Sequence, residues 1–165
     1  MLRFSTLPEV DFRNPTMVFQ ELNKAFPIQK HNYLFFTIFY AVYNKNSRTL
    51  KYAGAGHPAP FLLSKDSKTL QLISQNTLIG TSDNVEFVHD EVPVPNESCF
   101  IIYSDGLLDA YTFDISKWNE ESLQLYFEKC IKINTPLEQV KDFLIKISIH
   151  QILKDDVSIL KIKFK

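Results

Sequence analysis

The stretch FIIYSDGLLDA, Phe100 to Ala110, constrains the fold of this chain more than any other. Four apolar or aromatic residues run into Ser-Asp-Gly. That is the pattern of a buried strand that stops abruptly with a carboxylate at its exit, followed by a helix from about Leu107. Asp105 is thereby set at the end of a rigid element. Gly106 lets the backbone turn sharply or lie close against another segment, because it has no Cβ. Taken alone, Ser-Asp-Gly reads more simply as a helix start with Asp105 as its N-cap, a position that Asp favours.

A second run changes that balance. Near the C-terminus, LKDDVSILKIKF sets Asp155 and Asp156 directly before a roughly alternating strand of Val157, Ile159, Leu160, Ile162 and Phe164. If this strand and the one before Asp105 are antiparallel neighbours, the exit of one lies beside the start of the other, and the three carboxylates meet. Like charges ~4 Å apart cost up to ~4 kcal/mol at an effective dielectric near 20. A hard divalent cation such as Mg²⁺ or Mn²⁺ relieves that repulsion, since it takes oxygen ligands and needs only one or two carboxylates from the protein.

Composition narrows the function classes. With 165 residues, 45% apolar content and a formal net charge of −1, the chain fits one compact domain over residues 1–165 and lacks the basic excess of a nucleic-acid binder. The longest apolar run, Tyr33 to Tyr43, is too short to span a bilayer, which takes ~20 residues. MLRFSTLPEVDF has neither the uninterrupted apolar segment nor the cleavage site of a secretory signal. Cys99 falls in the strand before Asp105 and Cys130 on a helical stripe, so both read as small buried residues, and a cytoplasmic location is expected. No clustered Cys/His pattern suggests zinc, and no glycine-rich phosphate loop suggests a nucleotide.

In order along the chain, Asn14-Pro15 starts a helix whose face carries Met17, Val18, Leu22 and Phe26, and Pro27 stops it. Tyr33 to Tyr43 reads as a strand covered on both faces, turning at Asn44 to Arg48 into a return strand, Thr49 to Ala53. Phe61 to Ser64 and Thr69 to Ile73 form the next pair, with a turn at Lys65 to Lys68. Glu86 to Val94 continues the same meander as an edge, because Pro93 and Pro95 cannot donate to a ladder. Two helical stripes follow, Trp118, Leu123, Tyr126, Phe127, Cys130 and Ile131, then Leu137, Val140, Leu144 and Ile147, the second helix ending near Gln151. All four glycines, Gly54, Gly56, Gly80 and Gly106, fall at expected turns beside candidate motifs. Strands, then helices, then a returning strand make the class α+β with mainly antiparallel sheets.

The order FFTIFYAVYNKNSRTLKYAGAGHPAPFLL, LIG, FIIYSDGLLDA, DDVSILKIKF resembles the metal-dependent PPM-type serine/threonine phosphatases. Within them it is similar to the bacterial group typified by the stage II sporulation E protein and by stress-response regulators of anti-anti-sigma factors. The resemblance runs from about Pro15 to Lys165. It implies a four-layer α-β-β-α sandwich of two mainly antiparallel sheets, and a binuclear Mn²⁺ or Mg²⁺ centre whose water attacks a phosphoserine or phosphothreonine. By the same resemblance Asp105 and Asp155 are metal ligands, Asp156 and Gly106 support them, and His57 belongs to the AGHP turn, as a substrate contact or as a hydrogen-bonded structural histidine.

The family's first motif, a glycine-aspartate followed by two aromatics and another aspartate, supplies the acid that bridges both metals. Met1 to Arg13 does not reproduce it, since Glu9 and Asp11 in PEVDF lack the glycine and lead into a helix. Two expectations follow. Either the chain is the C-terminal portion of a longer phosphatase with a sensor or receiver domain upstream, or it is a shortened, noncatalytic relative that binds a regulatory partner. Shared coordination of the attacking water between two metals depends on the bridging acid, so Asp105 and Asp155 alone are expected to hold one ion weakly. The expected substrate is a regulatory phosphoprotein. The family's N-terminal hairpin and much of its first helix are expected to be absent from this chain, an N-terminally truncated sandwich, and the sheet edge so exposed predicts a homodimer or poor solubility.

Overall fold

The computed structural model describes residues 10–27, 35–64, 68–108, 118–148 and 155–165. The chain divides into two compact units, residues 1–57 with 73–93, and residues 58–72 with 94–165. Each holds one antiparallel sheet with helical packing.

The first unit opens with helix α1, Pro15–Ala25. Asn14 is its N-cap, its side-chain oxygen accepting from the Thr16 N–H at 3.1 Å, with Pro15 at the first position as expected. Strands β1 (Ile38–Asn44), β2 (Thr49–Ala55) and β5 (Asp90–Pro93) form a sheet in the order β1-β2-β5. The β1–β2 hairpin turns at Asn44 to Arg48, where Asn44 Oδ1 accepts from the Asn46 and Ser47 N–H groups and Arg48 takes a left-handed φ of 53°. Phe19 from α1 packs edge-to-face on Phe87 at 5.6 Å, over Ala53, Ala55 and Ile79. Asn23, buried in the same helix, donates to the carbonyl of exposed Ser82 and accepts from the N–H of buried Gly80, both at 2.8 Å, which ties this loop to α1.

Three expectations change here. The first strand starts at Ile38, with Phe35 56% exposed ahead of it, and its residues through Tyr43 are half-buried rather than covered on both faces. The reason is position: among the described strands β1 is an edge of its sheet. Tyr33 and Leu34 lie outside the described residues. The Glu86 to Val94 strand shrinks to β5 and pairs with β2, so it leaves the meander assigned to it and joins the first sheet as its other edge. Val88 stays out of the ladder because Asn76 pairs its backbone instead, Oδ1 accepting from the Val88 N–H and Nδ2 donating to the Val88 carbonyl, both at 2.8 Å. Gly54 is also not at a turn; it lies inside β2, where a Cβ would press on the Phe39 ring.

The second unit has strands β3 (Phe61–Leu63), β4 (Leu70–Gln71), β6 (Cys99–Tyr103) and β7 (Ile159–Lys163), all antiparallel in the order β4-β3-β6-β7. Helices α2 (Glu120–Lys132) and α3 (Leu137–Ile147) supply the rest of its core. Alternate residues Phe61, Leu63, Cys99, Ile101 and Tyr103 meet Leu123 and Phe127 of α2 and Val140 and Leu144 of α3. Leu62 and Phe100, on the opposite sheet face, are buried as well, so double coverage belongs to β3 and β6 rather than β1. Cys99 and Cys130 are both buried and unbridged, as expected. Burial pushes the Cys99 thiol up, opposed by Lys161 and Lys163.

Two boundaries move inward. The Thr69 to Ile73 strand is only Leu70–Gln71, and Ile73 is 59% exposed. Helix α3 ends at Ile147 rather than near Gln151, since Ser148 turns to extended backbone, ψ 141°, while its hydroxyl donates back to the Leu144 carbonyl at 2.7 Å. Gln151, the Lys65 to Ser67 part of the expected turn and residues 109–117 after the Asp105 turn lie outside the described residues.

Candidate functional site

The second sheet brings the two acidic segments together. In the β6–β7 ladder the register runs from Cys99↔Lys163 to Tyr103↔Ile159, so the exit of β6 lies beside the start of β7. Ser104 extends the pairing one step further. Its N–H donates to the Ser158 carbonyl at 3.0 Å, its hydroxyl accepts from the Ser158 N–H at 2.9 Å, and the same hydroxyl donates to the Asp156 carbonyl at 3.0 Å. Ser104 therefore staples the segment before β7 to the end of β6. Sequence reasoning assigned no role to Ser104 or Ser158, although each stands beside or within an acidic motif.

Beyond the staple the chain makes one 3₁₀ turn, Asp105–Leu107. The N-cap position falls to Ser104, whose side chain makes no capping bond, so the reading of Asp105 as the cap is corrected. Trp118 fixes the far side of the turn, its indole N–H donating to the Leu107 carbonyl at 2.9 Å. Gly106 is buried, and a Cβ there would collide with the Asp156 carbonyl oxygen and lie 3.3 Å from the Asp155 carbonyl carbon. Among the described glycines, positive φ occurs at Gly56 and Gly80, not at Gly106. Close approach, not backbone handedness, is what Gly106 provides.

Asp105, Asp155 and Asp156 are all exposed. Asp105 Oδ1 accepts from the Gly106 N–H at 3.0 Å, and Asp155 Oδ1 accepts from the Asp156 N–H at 2.7 Å. These bonds orient one oxygen of each carboxylate, and among the described residues no lysine, arginine or histidine forms an ion pair with any of the three acids. Hard oxygen donors, oriented by backbone N–H groups and not neutralised by a protein cation, suit Mg²⁺ or Mn²⁺. No group of three or more His, Cys, Asp or Glu side chains that could hold a metal occurs among the described residues. His57 lies in the first unit, half-buried, with its ring 6.1 Å from that of Phe39. No helix among the described residues is long and apolar enough to cross a membrane.

Comparisons with known proteins bear on the fold and the family. Phosphoserine phosphatase RsbU of Bacillus subtilis is 26% identical over 168 residues, covering 97% of this chain and 48% of RsbU. The chain thus spans about half the length of that relative. Among solved structures, the SiaA-PP2C domain of Pseudomonas aeruginosa matches with a TM-score of 0.73 at 19% identity, covering 93% of this chain and 62% of that one. RsbX in complex with magnesium matches with a TM-score of 0.57 at 16% identity, covering 90% of this chain and 63% of that one. The fold is therefore the α+β sandwich of PP2C phosphatase domains, with two antiparallel sheets. The family described as Stage II sporulation protein E (SpoIIE) matches residues 3–165, and with nearly the whole length so matched, the chain belongs to that family.

Proposed function

We propose that residues 1–165 form a single PPM-type phosphatase-like domain, the C-terminal portion of the family fold, that hydrolyses phosphoserine or phosphothreonine on a regulatory phosphoprotein of the anti-anti-sigma kind when a longer chain supplies the bridging acid, and that is poorly active or inactive alone. What supports this reading is the approach of Gly106 to the Asp155–Asp156 backbone, which joins the exit of β6 to the start of β7. Asp105 and Asp155 would hold Mn²⁺ or Mg²⁺. When bound, the ion supplies a water acidified toward neutral pH and neutralises charge on the phosphoryl group. The chain's own contribution is orientation: the Gly106 and Asp156 N–H groups each hold one carboxylate oxygen. Gly106 admits the close approach, Asp156 supplies the N–H donor and the carbonyl for the Ser104 staple, and His57 in the AGHP turn serves as a substrate contact or as a structural histidine.

Asp105→Asn is expected to weaken Mn²⁺ binding and, in a longer chain that carries the bridging acid, to lower Mn²⁺-dependent hydrolysis of a phosphoserine peptide by at least about 100-fold, more than loss of an outer-shell group costs. Calorimetry and phosphate release measure the two effects. Unchanged Mn²⁺ binding in the variant overturns the reading. A chain that binds a regulatory partner but neither binds Mn²⁺ nor hydrolyses the peptide is instead the noncatalytic module. The chain spans about half of RsbU, so a sensor or receiver domain alongside it is part of the proposal.

The proposal includes a homodimer formed through a sheet edge. Among the described residues strand β1 has one neighbour in its sheet, and an unpaired edge is a template for a second copy. Light scattering is expected to give a dimeric mass, and a monodisperse monomer overturns this part alone.

A further inference from the structure

The second unit contains a groove of about 670 Å³ between the first turns of α3 and the segment leading into β7. Leu137, Glu138 and Lys141 form one wall, and Asp155, Asp156 and Val157 line the other. Helical spacing places Leu137, Glu138 and Lys141 on one face, while Val140 and Leu144 are turned into the core. Lys141 is exposed and, among the described groove residues, is the one cation against three carboxylates. Among the described residues it forms no ion pair, either with Glu138 one turn earlier or with the acids opposite. An ammonium group among carboxylates that pairs with none of them is available to an incoming anion.

We infer that Lys141 is a phosphate-contacting residue of the substrate groove, meeting the phosphoryl group of the phosphoprotein beside Asp155. This inference rests on the phosphatase reading. A phosphomonoester dianion approaching Asp155 is repelled by Asp156 and Glu138. A single metal ion offsets only part of that repulsion, and a second positive charge from the groove wall offsets more. Lysine suits this role, because a compact charge on a flexible four-carbon stem can follow the phosphoryl group as a point charge.

The test uses the full chain with Mn²⁺ present and inorganic phosphate as the probe, titrated by calorimetry at low ionic strength. Lys141→Gln is expected to weaken phosphate binding about three- to fivefold, the upper range for an exposed charge pair, with Mn²⁺ affinity unchanged. Lys141→Arg keeps most of the affinity, and Lys146→Gln, nearer the end of the same helix, has no effect. Added salt narrows the gap between the native chain and Lys141→Gln. The inference is overturned if Lys141→Gln binds phosphate like the native chain, if its loss only follows a loss of Mn²⁺ affinity, or if the native chain binds Mn²⁺ but no phosphate. The phosphatase reading fails separately, through Mn²⁺ binding that does not change in Asp105→Asn.

Discussion

Gly106→Ala is expected to destabilise the protein by about 2–3 kcal/mol, although the same exchange elsewhere commonly stabilises. Replacing glycine by alanine at an unstrained position gains ~0.4–1 kcal/mol by narrowing the unfolded ensemble. Gly106 is not in the left-handed region, so on backbone grounds alone alanine is acceptable. The collision decides the sign. A Cβ at this position meets the Asp156 carbonyl oxygen, which is backbone and cannot swing aside as a side chain would. That carbonyl also accepts the Ser104 hydroxyl, so moving it breaks the staple between the two segments. Urea unfolding is expected to show a lower midpoint with little change in slope, and Mn²⁺ affinity is expected to fall further than in a core variant of equal instability. An unchanged or raised midpoint would falsify the account of Gly106 as a close-approach position.

Phe127→Ala is expected to cost about 3–5 kcal/mol, a large share of a typical total stability of roughly 5–15 kcal/mol. Phe127 is 1% exposed, and its ring lies 6.2 Å from Phe61, 6.3 Å from Tyr103 and 6.0 Å from Tyr126. Phe61 and Tyr103 come from neighbouring strands of the second sheet, so the ring ties α2 to both. Tyr103 is the last residue of β6 and is followed directly by Ser104 and Asp105. A cavity under Tyr103 therefore loosens the element that carries the acid. Phe127→Leu, which keeps much of the volume, is expected to cost about 1–1.5 kcal/mol. Thermal unfolding of both variants measures the difference, and a loss below about 1 kcal/mol for alanine would show that the site collapses to fill the void.

Local chemistry makes several elements legible in the amino-acid sequence. Asn14-Pro15 carries both a cap and a compatible first helical residue, and α1 begins there. Asn44 to Arg48 holds the polar residues of a tight turn, and β1 and β2 meet across it. The stripes through Phe127 and Leu144 follow the helical period, with Leu123, Phe127, Cys130, Val140 and Leu144 buried and Tyr126, Ile131, Leu137 and Ile147 half-buried against them, while Trp118 falls ahead of the helix cap. The meeting of the two acidic segments is legible only as a condition: antiparallel pairing puts the exit of one strand beside the start of the other once the two are neighbours, as β6 and β7 prove to be.

What the sequence determined, then, is periodicity, caps, turns and the two acidic ends, since each depends on residues within a few positions of one another. Tertiary structure alone decided which strands are neighbours and how closely two segments approach. It moved β5 to the first sheet, left β1 as a half-buried edge and β6 as the doubly covered strand, and set Gly106 against the Asp156 carbonyl. It also set Lys141 in one groove with Asp155, and made Ser104 a staple. The physical reason is that a run of apolar residues reports that a strand is buried but not by what. Contacts between segments some fifty residues apart, such as Ser104 with Asp156, arise only when the whole sheet assembles.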